Sequence, residues 1–167
     1  NPKQAEQMGI GFIHQELNLC PNLDVAENLF LGRELTGKRG IFSNKKEMYE
    51  RSKEMLMKLG FDIDPHTLIR NLSTAQQQIV EIVRAISYDS KIIIMDEPTA
   101  SLTQAEIDHL FTIIRDMKKQ GISIIYISHR FEELKEIGDR LTVLRDGCYV
   151  GTIDMKDFTS EKVIKMM

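Results

Sequence analysis

Two carboxylates stand side by side where a short β-branched run ends: Lys91-Ile-Ile-Ile-Met95 leads directly into Asp96-Glu97-Pro98-Thr99. A run of this kind reads as a strand buried on both faces of a parallel sheet. In open α/β sheets, ligands sit beyond the carboxyl ends of the strands. Unpaired charge at that point is unfavourable, because burying it costs several kcal/mol. A bound cation and a polarised water would offset the cost. The pair therefore suggests phosphoryl transfer, with Asp96 serving Mg²⁺ and Glu97 the attacking water. The competing reading is an acidic turn punctuated by Pro98, so the decision rests on what else the chain supplies.

Three further features bear on it. Ser73-Thr-Ala-Gln76 opens a helical pattern, and Ser73 with Gln76 fits the capping box S-x-x-Q, which needs no ligand. The same geometry leaves backbone N–H groups free at a helix N-terminus, a ready anion site. Gln15 follows an early strand, where polar residues are ordinary. His129 follows a second apolar run, Ile124-Ile-Tyr-Ile-Ser128, expected to be a buried strand ending at the same sheet edge as Glu97. Beside a γ-phosphate, such a histidine could hydrogen-bond the transferring group and hold the water-activating acid.

The elements that must position these residues alternate in type. Ile10-Gly-Phe-Ile-His14 reads as a strand. Val25, Leu29 and Phe30 share one helical face behind Asp24 as N-cap, and Gly32 to Ser43 reads as a basic loop. A helix over 44–59 follows, stopped by Gly60, with Met48, Met55, Leu56 and Leu59 as core. Another runs from Thr74 to Ser87. Strand 91–95, helix 103–119, strand 123–128 and helix 130–137 then form a β-α-β-α series, which predicts parallel strands with right-handed crossovers. Leu141 to Val150 predicts a hairpin turning at Asp146-Gly147, and a short helix from Ser160 closes the chain.

In order, these motifs resemble those of ABC-type ATPases over essentially the whole chain. His14-Gln-Glu-Leu-Asn-Leu19, Glu27-Asn-Leu-Phe-Leu-Gly-Arg-Glu34, Ile125-Tyr-Ile-Ser-His-Arg130 and Val143-Leu-Arg-Asp-Gly147 resemble ATPase subunits of bacterial monosaccharide importers, of galactose/methyl-galactoside or ribose type. The resemblance implies a P-loop NTPase-like α/β core (residues 1–21 and 89–167) carrying an all-helical signature subdomain (22–88). It implies the first of two fused nucleotide-binding halves, with ATP and Mg²⁺ as ligands. Asp96 would hold Mg²⁺, together with Gln15, which also senses the γ-phosphate. Glu97 would deprotonate the water, and His129 would complete the site. Ser73, Thr74, Ala75 and Gln76 would bind the γ-phosphate of the opposite half in a head-to-tail sandwich, and Ser101, within the loop from Ala100 to Thr103, would speak across that interface. The helical subdomain would press on a membrane permease, fed by a periplasmic sugar-binding protein, at the cytoplasmic face of the inner membrane.

Departures stand beside the resemblance. Thr74-Ala75 replaces two glycines, and Thr103 replaces a customary Asp. The P-loop is absent: Gly32-x-x-x-x-Gly37-Lys38 fails, because Arg39 replaces the metal-binding hydroxyl and the motif falls after Gln15. The start at Asn1 without Met predicts an excised part of a longer protein, and the 167-residue chain alone is expected neither to hydrolyse ATP nor to bind it tightly. The net charge of −3 gives no attraction for nucleic acid, and Cys20 and Cys148 provide no disulfide framework and read as small, at least half-buried hydrophobes. No apolar stretch approaches the roughly 18 residues of a membrane span, and a reducing, cytosolic setting is expected. Two rivals are a non-transport ABC ATPase and a non-catalytic interaction fragment that keeps the fold. The first would require either a long coiled coil between Gln15 and Ser73, a stretch without sustained heptads, or basic RNA-contacting segments, against which the slight net acidity argues.

Overall fold

The computed structural model describes residues 2–33, 44–87 and 90–167. Most of the expected basic loop, including Gly37, Lys38 and Arg39, lies outside the described residues, as does the proposed subdomain boundary at 88/89. The chain forms two compact units, Asn1–Ile125 and Tyr126–Met167.

In the first unit, α1 (Pro2–Gln7) precedes β1 (Ile10–Ile13), and α2 (Val25–Leu29) and α3 (Lys45–Lys58) follow. Then come α4 (Thr74–Ile86), β2 (Ile92–Asp96), α5 (Gln104–Lys119) and β3 (Ser123–Ile127), whose last residues cross into the second unit. The strands form a sheet in the order β1-β2-β3. As expected, β1 and β2 are parallel, with Ile10 opposite Ile92 and Ile13 opposite Met95. Gly11 permits the approach of α4: a Cβ there would sit 3.2 Å from the Ala85 carbonyl oxygen and 2.9 Å from Ser90 Oγ.

Two expectations need correction. Along β2 only Ile93 and Met95 are fully buried, while Ile92, Ile94 and Asp96 are half-exposed. A strand is covered on both faces only where layers pack on both, and here one face is enclosed. Nor is β3 a buried strand. Among the described residues it is an outer strand of the three, and Ile125 and Ile127 are 51% and 46% exposed.

The helices around α2, α3 and α4 share a core of Val25, Leu29, Met48, Leu56, Ile69, Val80 and Val83, with Met55 and Leu59 packed against it. Capping sets their ends. Asp24 makes a capping box with Glu27, Asn44 accepts from the Glu47 N–H, and Gly60 takes φ +78° after the last turn of α3. Leu59 O meets His109 Nε2 from α5, and the His109 ring stands edge-on to Phe61 at 5.0 Å.

The second unit comprises α6 (Phe131–Ile137), β4 (Arg140–Arg145), β5 (Cys148–Asp154) and α7 (Ser160–Met166). The hairpin turns at Asp146 (φ 52°) and Gly147 (φ 74°), the paired positive angles of a type I′ turn. Leu144 faces Tyr149 while Val143 faces Gly151, so Val150 is an extra, bulged residue. Val143, Ile153 and Val163 form this unit's core. Cys148, expected to be at least half-buried, is exposed because it begins β5 directly after the turn.

Tyr49 Oη donates to Asp24 Oδ2 at 2.6 Å and its ring stacks on His66 at 3.8 Å. The Asp24 hydrogen bond, then burial, then the charges of Asp24 and Glu27 push the Tyr49 hydroxyl from 10.0 up to about 12. A raised folded-state value means that the contribution to stability is complete below pH 10 and disappears as pH rises towards 12. Alkaline denaturation should therefore show wild type losing stability across that window relative to Tyr49→Phe. Parallel curves for the two proteins would remove the hydroxyl from the account.

Candidate functional site

The register of β1 and β2 places the first two candidates together. Ile13 pairs with Met95, so Gln15 and Glu97 leave their strands at the same offset. Gln15 Nε2 donates to Glu97 Oε2 at 3.2 Å. With its amide nitrogen committed to Glu97, Gln15 keeps its carbonyl oxygen available as a ligand. Asp96 is the last residue of β2, and among the described residues its carboxylate makes no hydrogen bond or ion pair. No group of three or more His, Cys, Asp or Glu with metal-binding geometry occurs among them.

Glu97 itself occupies an unusual backbone position, φ 46°, one of two non-glycine residues with positive φ among the described residues. The chain leaves an extended strand and reverses at once, with the Ala100 N–H donating to the Glu97 carbonyl at 3.3 Å. Pro98 disfavours the right-handed helical region for the residue before it. A non-glycine residue held in the left-handed region costs of order 1–3 kcal/mol, and such strain clusters at functional sites. Buried Thr99 and Pro98 anchor the turn, and Thr99 O accepts the Leu102 N–H at 3.1 Å.

The turn passes Ser101, half-buried, and reaches Thr103, which caps α5 through a capping box with Glu106. The departure at Thr103 is thus mild in structural terms, since Thr and Asp both serve as N-caps. Ser73 caps α4 in the same way, its Oγ accepting the Gln76 N–H at 3.2 Å while Gln76 Oε1 accepts the Ser73 N–H at 3.0 Å. Thr74 and Ala75 are the first helical residues, without positive φ, so the backbone here has no need of glycine. Their N–H groups belong to the first turn, where no intrahelical acceptor exists. Gln77 Nε2 ties this start to the Ile69 and Leu72 carbonyls, 3.1 Å each.

His129 is an exposed residue of the second unit, in the bend between β3 and α6. The bend is organised by Glu133, which is 4% exposed. Its Oε2 accepts from Tyr126 Oη at 2.8 Å and Ser128 Oγ at 3.0 Å, and its Oε1 pairs with Arg130 Nη1 at 2.7 Å. Ser128 Oγ also accepts the Arg130 N–H at 3.0 Å. Residues on both sides of His129 are therefore fixed by one carboxylate. Sequence reasoning passed over Glu133, which looks like any acid in the first turn of a helix. It also passed over Glu81, fully buried in α4, although a charge inside Ile79-Val-Glu-Ile-Val83 was a visible signal.

Comparison with known proteins adds three findings. The family profile described as ABC transporter matches residues 1–100. A ribose import ATP-binding protein of Bacillus licheniformis is 52% identical over 167 residues, all of this chain and 34% of the relative. A protein named as a ribose/galactose/methyl galactoside import ATP-binding protein, from Burkholderia cenocepacia, is 48% identical over the same length, 33% of its own. The chain thus spans about a third of the curated relatives it matches. Among solved structures, a nucleotide-free ATP-binding cassette from an ABC transporter aligns with TM-score 0.80 at 24% identity, over 99% of this chain and 71% of that one. A dimeric ATP-binding cassette bound to ADP and Pi aligns at 0.77 and 24%, over 95% and 68%. These structural likenesses carry the fold, and they bear out the expected α/β ATP-binding-cassette core.

Backbone strain at Glu97 can be isolated by comparing Glu97→Gly with Glu97→Ala, which both remove the side chain. In chemical denaturation the glycine variant should be the more stable by about 1 kcal/mol, since the left-handed region penalises any Cβ. At an ordinary helical position the order would be reversed. An alanine variant at least as stable as the glycine one would contradict the strained turn.

Proposed function

Because the chain belongs to the ABC transporter family, we propose that it is part of the first nucleotide-binding half of an ATPase that drives monosaccharide import across a bacterial inner membrane. The observation that carries this is the Gln15–Glu97 hydrogen bond at the carboxyl ends of adjacent parallel strands. It lies where α/β folds bind their ligands, and it turns a carboxylate at the sheet rim into an oriented base. Identities of 52% and 48% to sugar-import ATP-binding proteins support the substrate class.

In this reading Glu97 accepts a proton from water as the water oxygen attacks the γ-phosphorus of ATP, and the bond to ADP breaks. The left-handed turn aims its carboxylate, and Gln15 holds it. Asp96 and the Gln15 carbonyl oxygen are hard oxygen donors that suit Mg²⁺. When bound, the ion neutralises charge on the phosphate oxygens. The role assigned to His129 is a hydrogen bond to the γ-phosphate, with Glu133 fixing the bend that presents it. At the segment Ser73 to Gln76, the capping box of Ser73 and Gln76 sets the start of α4, and Thr74 and Ala75 offer first-turn N–H groups to the γ-phosphate of an opposite half, which Ser101 also faces.

The division into an α/β core and a helical subdomain over 22–88 belongs to the same proposal, as do the partners. These are a membrane permease docked on the helical subdomain, an opposite nucleotide-binding half, and a periplasmic sugar-binding protein acting through the permease. The location proposed with them is the cytoplasmic face of the membrane; no helix among the described residues is long and apolar enough to cross one.

The test uses the full-length protein with Mg²⁺-ATP. Glu97→Gln keeps the size of the side chain and loses the base, so turnover should fall by about 10²–10⁴, the usual contribution of a general base, while ATP stays bound. Turnover within about twofold of wild type would sink the catalytic assignment, and with it most of the argument for hydrolysis here.

A further inference from the structure

The segment that leaves Gln15 is hydrogen-bonded to α4 through the backbone of Asn18. Glu81 Oε2 accepts the Asn18 N–H at 3.0 Å, and Arg84 Nη1 donates to the Asn18 carbonyl oxygen at 3.1 Å. Both polar groups of one peptide residue are thus held by side chains one turn apart on the same helix. The two side chains also face each other, Arg84 Nη2 lying 3.6 Å from Glu81 Oε1, which accepts no hydrogen bond. The carboxylate is fully buried. Burial pushes its carboxyl up, against the lowering effects of the Asn18 N–H, Arg84 and His14. A raised value in the folded state means that ionised Glu81 lowers stability at neutral pH. A buried charge that does not stabilise needs another reason to be there.

Its place in the chain supplies one. On one side, Gln15 is tethered to Glu97. On the other, Asn18 is tethered to α4, the helix that Ser73 to Gln76 begin. Only Glu16 and Leu17 lie between the tethers. We propose that Glu81 and Arg84 are positioning residues that make Asn18 travel with α4, so that a displacement of α4 reaches Gln15 and Glu97 through a two-residue strap. The inference rests on the function proposed above. The clamp then couples the helix that serves the opposite nucleotide to the base that serves this one, and it matters when an outside partner moves α4 rather than at rest.

The experiment compares ATP turnover by the full-length subunit alone and bound to its permease in liposomes. Glu81→Leu removes the acceptor with an apolar side chain of similar bulk, Arg84→Met removes the second arm and keeps the stem, and Glu81→Gln retains an acceptor for the Asn18 N–H. Glu81→Leu and Arg84→Met should keep the basal rate and the KM for ATP near wild type. Their stimulation by permease should fall at least about fivefold, the lower range of an allosteric coupling, and Glu81→Gln should recover most of it. Should the leucine variant not fold, the other two carry the comparison. Unchanged stimulation in Arg84→Met overturns the clamp, as does a loss shared equally by basal and stimulated rates. A wild-type protein without ATP turnover overturns the underlying function instead, and the clamp's role with it.

Discussion

One peptide unit in an unfavourable conformation organises the candidate site. Glu97 must follow a strand with one enclosed face, precede a proline and reverse the chain, and it does so in the left-handed region. That geometry persists because the surroundings over-determine it: the β1–β2 register, buried Pro98 and Thr99, and the hydrogen bond from Gln15. Relaxing the turn would re-aim the carboxylate away from Gln15. A base that is to meet one water in one direction gains more from fixed aim than from intrinsic strength.

The rest of the first unit converts helix positions into positions of that carboxylate. Capping boxes at Asp24, Ser73 and Thr103 define where α2, α4 and α5 begin, and the shared core around Leu56 and Val80 locks α2, α3 and α4 to one another. From this helical assembly α4 holds the backbone of Asn18 through Glu81 and Arg84, and α2 holds that of Cys20 through Asn28. In the proposed clamp, a packed helical body, a short strap and a strained turn act together as a lever. In the second unit, Glu133 does for the His129 bend what Pro98 and Thr99 do for Glu97. Both are sites where a small number of polar groups are fully committed, which suits residues that must not wander.

Much of this was legible in the residues. Gly60, Asp146-Gly147, the Asp24 cap and the Ser73–Gln76 capping box follow local rules that operate over four or five residues, and each formed as its sequence dictates. The resemblance assigned Gln15 and Glu97 to one nucleotide site, whereas their hydrogen bond emerged only from the register of β1 and β2. What stayed hidden depends on distant neighbours. The exposure of Ile125 and Ile127 is a matter of where β3 sits in the sheet, and Cys148 is exposed because it begins β5 directly after the turn. The clamp on Asn18 joins residues far apart in sequence, and no periodicity encodes it. The left-handed Glu97 was hidden for a different reason: intrinsic preferences argue against it, and only the fold enforces it.

The central claim is that Gln15 and Glu97 act as one unit. A double-mutant cycle on ATP turnover by the full-length protein tests it most directly, with Gln15→Ala and Glu97→Asp, whose shortened acid leaves a measurable rate. The two changes should be non-additive, with a coupling between about 0.5 and 3 kcal/mol as for side chains in direct contact. Effects that simply add would mean that the hydrogen bond seen here has no part in aiming the base.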